Sequence, residues 1–366
     1  MSKNSSTSGL PDFRTSGLPD SPSPKDLGYY FPAEFARHSA TWLSWPHKEA
    51  SWPGKIETIY PVYAEFIKRV AEGEVVNINV ADDAMKQKAL RHLEKVNADL
   101  SNIKFFFHPT NDAWCRDHGP AFLINPSAQQ KKVVVDWGYN AWGGKYPPFD
   151  LDDVIPTLVG KHYGIPVFNP GIVMEGGSVE FNGKGTLLTT TSCLLNENRN
   201  PHLNQQKIEE YLTQYYGVNN ILWLGDGILG DDTDGHIDDL TRFVNEDTVV
   251  TVVESNKQDE NYHPLQENLK MLSKLRLENG KPINVVELPM PAPLVYEDMR
   301  LPASYANFYI ANKYVVVPTF RDKNDDRALE ILQKCFNDRK VIGLDSVDII
   351  WGLGSFHCLS QQEPAV

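Results

Sequence analysis

Six aspartates and one histidine fall within fifteen residues, in the run Gly225-Asp226-Gly227 through Asp231-Asp232-Thr233-Asp234-Gly235-His236-Ile237-Asp238-Asp239, directly after the apolar segment Ile221–Leu224. Like charges at this density repel one another unless water solvates them or a cation visits. A calcium loop fails the test of spacing. With Gly235 as the sixth loop residue, Gly230 and Thr241 would stand at positions one and twelve, where carboxylates are required. A non-haem iron triad would take His236 and Asp238 with His357 as the distant third ligand. A 2-oxoglutarate-dependent version of it needs a basic residue soon after His357, and Leu359–Val366 holds no Arg or Lys. Iron therefore stays as an alternative. The remaining cation is a substrate. A guanidinium is planar, always charged and presents a fork of donors that two carboxylates can hold on different edges. Asp238 is one such carboxylate, with His236 on the same face of an extended segment; Asp226, Asp231, Asp232 and Asp239 read as a solvated acidic loop.

The second carboxylate comes from another loop, Asn111-Asp112-Ala113-Trp114-Cys115-Arg116-Asp117-His118-Gly119-Pro120. Asp117 is expected to be committed to Arg116 or to the backbone, which leaves Asp112 free. Trp114 can flank a flat cation through its π face, or equally pack in the core. Glu175 precedes Gly176-Gly177, where the backbone can approach a ligand closely. If the loops converge, Glu175 reaches His236 and sets its tautomer and charge. Cys358 is the candidate nucleophile. A buried inert thiol is the commoner fate of cysteine, but Gly352 and Gly354 loosen the backbone before it, and its polar, aromatic surroundings Ser355–Gln362 are odd for a core strand. Neighbouring strand residues face opposite ways, so His357 is not its base.

These loops need elements to carry them, and one arrangement recurs: an amphipathic helix, a short β-rich run, then a polar loop. Helix Ala84–Val96 leads to Ile103–Phe107, helix Leu151–Val159 to Pro166–Phe168, and helix Gln205–Tyr216 to Ile221–Leu224. Helix Leu265–Leu277 leads to Ile283–Leu288, and helix Arg327–Phe336 to Val341–Leu344. Further β-rich runs lie at Val133–Trp137, Thr186–Thr190, Thr248–Val253 and Tyr314–Phe320. About five α/β units result. An open doubly wound sheet accommodates them, and so does a closed ring of small mixed sheets; the ring better explains why each unit delivers its polar loop at a corresponding place.

Composition sets the frame. The 366 residues are 41% hydrophobic and 23% charged, as in a globular protein with a real core. A formal charge of −13 argues against nucleic acid and anionic membranes as partners and favours small cations. Neither a secretory signal nor an apolar run long enough to span a bilayer is visible. The four cysteines, Cys115, Cys193, Cys335 and Cys358, form no CxxC pair and read as free thiols of a reducing cytoplasm. Residues 1–26, Ser/Pro/Gly-rich with Thr-Ser-Gly-Leu-Pro-Asp repeated at 7–12 and 15–20, are expected to be a disordered tail. Residues 27–366 are expected to form one domain. A homo-oligomer is compatible with the sequence, which does not specify one.

The motifs Asn111-Asp112-x-Trp114-x-Arg116-Asp117-x-Gly119-Pro120, Glu175-Gly176-Gly177, Asp232-x-Asp234-Gly235-His236-x-Asp238 and Gly354-x-x-His357-Cys358 resemble those of the agmatine deiminase and bacterial peptidylarginine deiminase family. So do Leu194-Leu195-Asn196-x-Asn198-Arg199-Asn200-Pro201-His202 and Ala303-Ser304-Tyr305-x-Asn307-Phe308-Tyr309. The six motifs run in order from about Trp42 to Pro364. The resemblance implies a five-bladed β/α propeller with pseudo-fivefold symmetry, that of the guanidine-modifying (pentein) superfamily. It also implies hydrolysis of a guanidinium through a covalent thiouronium. Cys358 would be the nucleophile, His236 the general acid/base and Glu175 the group orienting it. Asp112 and Asp238 would clamp the guanidinium, and no metal or organic cofactor would be needed. Agmatine, a dication, calls for an acidic or aromatic site, whereas peptidyl or free arginine calls for a base to meet a carboxylate. The absence of a secretion signal or an appended domain favours a cytoplasmic enzyme of putrescine biosynthesis over a secreted one that modifies proteins. A guanidinium-binding protein without turnover is the remaining alternative. The segment before Leu301 is shorter than in typical agmatine deiminases, and Gly352-Leu353-Gly354-Ser355-Phe356 departs from a plain glycine run; both border the substrate's tail.

Overall fold

Short β-branched runs joined by amphipathic helices can pair in parallel only through a crossover, and the computed structural model, which describes residues 22–366, is built on that rule. In the third unit Val179–Phe181 pairs antiparallel with Thr186–Thr190, which pairs in parallel with Asn220–Leu224 across helix Gln205–Tyr216. The same pattern joins Ala121–Ile124, Lys132–Val135 and Val167–Phe168. It recurs in Thr241–Phe243, Thr248–Val253 and Asn284–Pro289, and in Tyr309–Ile310, Tyr314–Thr319 and Lys340–Asp345. In the remaining unit the C-terminal strand Ser360–Pro364 pairs with His38–Ser44, to which Val75–Asn79 and then Ile103–Phe106 add in parallel. Among the described residues there are thus five mixed sheets of this kind and one small hairpin, Val295–Tyr296 with Met299–Arg300.

Helix Gln205–Tyr216 shows why the units hold together. Ile208, Tyr211, Leu212, Tyr215 and Tyr216 share one face and are buried. Asn204 caps the first turn by accepting from the Lys207 N–H, and Gly217 ends the helix at φ +71°, where a Cβ would stand 2.5 Å from the Tyr29 carbonyl.

Three expectations need correction. Helix Ile56–Ala71, not among the expected helices, carries Pro61 inside it. Its buried face of Ile59, Tyr60, Tyr63, Ala64, Phe66, Ile67 and Val70 outweighs the one backbone bond that proline removes. The expected helix Leu151–Val159 is a short turn, Asp150–Asp153, followed by Ile155–Tyr163, because Pro156 suits a fresh first turn and not a helix interior. Residues 23–26 do not belong to a disordered tail. Ser23 Oγ donates to Gln214 Oε1 at 2.7 Å and Lys25 Nζ to the Val218 carbonyl at 3.0 Å, which ties the segment to the third unit. The rest of the expected tail, residues 1–21, lies outside the described residues. No helix of the described residues is long and apolar enough to cross a membrane.

Candidate active site

Each unit ends a strand in a tight loop, and five loops bring their polar residues together. Cys358 lies just before the C-terminal strand. Its Sγ is 3.0 Å from Asn307 Nδ2, which donates to it, and 3.5 Å from Asp238 Oδ2. Asn307 Oδ1 also accepts from the backbone N–H groups of His357 and Cys358, so one amide fixes the cysteine from both sides. Burial, and then Asp238, Asp239 and Asp117, push the Cys358 thiol well above its usual range.

Asp238 is fully buried on the turn Ile237–Asp239. Its Oδ2 accepts from His357 Nδ1 at 2.6 Å, while Oδ1 has no protein partner. The other nitrogen of His357, Nε2, is 2.7 Å from Glu34 Oε2, which also accepts from Arg116 and Arg242. Carboxylates thus hold both ring nitrogens of His357. Burial works against ionised Asp238, but His357, His236 and Arg242 outweigh it and hold its pKa down. This geometry removes the iron alternative, since both ring nitrogens of His357 are engaged by carboxylates and neither can ligate.

His236 stands beside Asp238, its Nδ1 3.7 Å from Asp117 Oδ1 and 4.0 Å from Asp238 Oδ1. Burial opposes its charge, yet Asp117, Cys193 and Asp238 together raise its pKa well above the usual value. Gly177 makes this crowding possible. A Cβ there would stand 2.6 Å from His236 Nδ1, 2.8 Å from Asp117 Oδ1 and 3.1 Å from Asp238 Oδ2. Among the described residues neither ring nitrogen of His236 has a hydrogen-bond partner of good geometry, although Cys193 lies against the ring. Glu175 therefore lies close to His236 without bonding it. Its Oε1 accepts from Arg199 Nε at 2.6 Å, and its Oε2 is unpartnered.

Asp112 and Trp114 come from the loop before the short helix Cys115–His118. Asp112 Oδ2 accepts from Ser51 Oγ at 2.6 Å and faces Lys48 Nζ at 3.3 Å. Trp114 packs in the core and also borders the cavity. It stacks on Trp52 with centroids 5.1 Å apart, and its edge lies where a Cβ on Gly352 or Gly354 would be, at 2.7 and 2.6 Å. Asp112, Trp114, Asp117 and Cys358 line one cavity of about 220 Å³, walled further by Trp142, Tyr146 and Trp351.

Of the two commitments expected of Asp117, that to the backbone forms and that to Arg116 does not. Arg116 turns to Glu34 and Gln362, while Asp117 accepts from the Trp142 indole at 3.0 Å and from Gly177 N–H at 2.9 Å. Burial leads the causes that lift the Asp117 carboxyl to about 6. The acidic run is also less solvated than its composition implies. Asp231 accepts from the N–H groups of Thr233, Gly235 and His236 and so shapes the loop. Asp234 pairs with Arg199, and Asp239, 2% exposed, accepts from Asn307. Glu34, Asn307 and Arg199 thus hold the site without standing out by spacing. Asn307 and Arg199 do fall inside motifs already noted, which was the available signal.

Comparison with known proteins agrees with this geometry. A profile of the Porphyromonas-type peptidyl-arginine deiminase family matches residues 30–364. An agmatine deiminase of Pseudomonas syringae pv. tomato is 34% identical over 366 residues, covering 94% of this chain and 97% of that one. The solved agmatine deiminase of Enterococcus faecalis superposes with a TM-score of 0.87 at 32% identity, over 96% of this chain and 99% of that one. A C. jejuni agmatine deiminase with a cysteine-to-serine substitution and substrate bound superposes with a TM-score of 0.83 at 35% identity, over 92% and 96%. Matched by that profile over residues 30–364, and with such relatives along nearly its whole length, the chain belongs to the Porphyromonas-type peptidyl-arginine deiminase family.

Proposed function

We propose that this protein is an agmatine deiminase, hydrolysing the guanidinium of agmatine to N-carbamoylputrescine and ammonia in putrescine biosynthesis. The observation that carries the reading is the placement of Cys358 Sγ, 3.5 Å from Asp238 Oδ2 and in the same cavity as Asp112. A guanidinium held between the two carboxylates presents its central carbon to the sulfur. The Cys358 thiolate adds to that carbon. His236, as imidazolium, protonates the departing nitrogen, and ammonia leaves an S-alkylthiouronium. Neutral His236 then takes a proton from water, the hydroxide adds to the same carbon, and the C–S bond breaks to release the urea and the thiolate. Glu175, anchored by Arg199, lies beside His236 and orients it. Trp114 covers one face of the cation.

The lining favours a dication. Asp112, Asp117 and Asp232 line the cavity, with Lys48 at Asp112 and Lys145 at Asp232, and aromatic rings complete the wall. An arginine α-carboxylate would meet those carboxylates. The five sheets and the pairing of the C-terminal strand with His38–Ser44 support a closed five-bladed propeller, with one catalytic domain from about residue 23 onward. Four free thiols support a reducing, cytoplasmic setting. Ammonia and ureido product, measured side by side with agmatine, free arginine and an arginine peptide, test the assignment. Turnover of agmatine is expected; turnover of the peptide alone would replace the substrate with peptidylarginine.

A further inference from the structure

Cys193 takes no part in the proposed reaction, yet it lies against its proton carrier. It sits in the short helix Thr191–Leu194, completely buried, and its Sγ, a Glu175 carboxylate oxygen and a His236 ring nitrogen all lie within 4.8 Å of one another. Buried polar atoms are nearly always satisfied, and here Glu175 Oε2, His236 Nδ1 and His236 Nε2 are not. Three unsatisfied donor atoms beside a thiol make a set of one oxygen, one nitrogen and one sulfur ligand. We propose that Glu175, Cys193 and His236 form an inhibitory site for a thiophilic divalent cation, of which Zn²⁺ is the best chemical match.

Geometry and charge both support the assignment. Tetrahedral zinc with these ligands sets its donor atoms roughly 3.4–3.7 Å apart, so the three must close by about an ångström, a side-chain adjustment. Binding displaces the thiol proton of Cys193, since the thiolate is the metal ligand. Arg199 is the nearest described cation, and its charge is already matched by Glu175 and Asp234. Asp117, 3.7 Å from His236, lines the cavity beside the set. With its imidazole on the metal, His236 cannot carry protons, and turnover stops while Cys358 remains a free thiol. A mixed oxygen, nitrogen and thiolate set favours zinc over magnesium or calcium.

Only the inhibition rests on the role given to His236; the binding does not. Chelator-treated enzyme is therefore titrated with zinc alone, and retained metal is measured by elemental analysis after gel filtration, next to the rate. Wild type and Cys358→Ala are expected to retain one zinc per chain. Cys193→Ala is expected to lose it and to need at least about tenfold more zinc for half-inhibition than wild type. Equal inhibition of Cys193→Ala and wild type would overturn the site, and so would loss of zinc from Cys358→Ala. Zinc retained without inhibition would uphold the site and count against His236 as the proton carrier. Should Cys193→Ala not fold, Co²⁺ added to Cys358→Ala decides. A thiolate-to-cobalt charge-transfer band with tetrahedral ligand-field absorption supports the site, and absence of that band overturns it.

Discussion

Two clusters of buried charge sit back to back on opposite sides of His357, and they are built differently. On one side Glu34 gathers two guanidinium groups and an imidazole. Oε2 accepts from Arg116 at 3.2 Å, Arg242 at 2.9 Å and His357 at 2.7 Å, while Oε1 accepts from the Ile310 N–H. Burial alone would raise the Glu34 pKa, but Arg242, His357 and Arg116 hold it well below the usual carboxylate range. Glu180 completes this hub by accepting from Arg242 and from the Phe243 N–H. On the cavity side Asp238 Oδ1, Glu175 Oε2 and both nitrogens of His236 have no hydrogen-bond partner of good geometry among the described residues. The hub is saturated and the pocket is not. Saturated charge fixes position, and unsatisfied charge is available for chemistry.

That difference predicts opposite phenotypes. Cys358→Ser on the pocket side should lower kcat by at least about a thousandfold, because the hydroxyl is a far weaker nucleophile. Its thermal unfolding should match wild type, as the substitution keeps nearly the same volume. Retained turnover in a steady-state ammonia assay would remove Cys358 from its role. Glu34→Gln on the hub side should do the reverse. It leaves two buried guanidinium groups without their shared counter-ion, for a loss of about 3–5 kcal/mol in stability. Chemical denaturation reads this directly; a change within 1 kcal/mol would mean that water or a neighbour replaces the carboxylate and that the hub is no more rigid than the pocket.

A pH profile sharpens the comparison without disturbing packing. The free enzyme holds Cys358 as a thiol, since burial and the surrounding carboxylates raise its pKa. A bound guanidinium offsets those carboxylates, so the thiolate forms at lower pH in the complex. The acidic limb of kcat/KM, which reports free enzyme, should therefore lie at higher pH than the acidic limb of kcat. Asp117, with its carboxyl at about 6, is charged only above that value. Asp117→Asn should thus move the kcat/KM limb toward lower pH by roughly half a unit to one unit. Coincident limbs would show that substrate charge does not help ionise the nucleophile.

The same contrast explains what could be read in the sequence. Cys358, His236, Asp112 and Asp238 were legible because reactive side chains beside glycines in short motifs are unusual. The helices were legible where an apolar face repeats without interruption, as in Gln205–Tyr216, and not where Pro61 interrupts it. The hub was invisible. Glu34 meets His357 across 323 positions and Arg242 across 208, and a lone glutamate near the start of a chain carries no mark of its partners. Sequence adjacency also misled, pairing Arg116 with Asp117 when the short helix sends them to opposite clusters.

The smallest effect belongs to Lys48, where the pocket imitates the hub. Its ammonium faces Asp112 Oδ2 at 3.3 Å, the oxygen proposed to hold the guanidinium, with Ser51 donating to the same atom. Unlike the hub cations, Lys48 keeps 21% of its side chain exposed, so solvent screens the pair and it is worth no more than about 1 kcal/mol. A substrate guanidinium must displace or share that contact. Lys48→Gln should therefore lower KM for agmatine by at most about fivefold and leave kcat unchanged, since the lysine touches neither the sulfur nor the imidazole. A rise in KM would mean instead that Lys48 holds Asp112 in its productive rotamer, and that the pocket, like the hub, depends on a fixed internal cation.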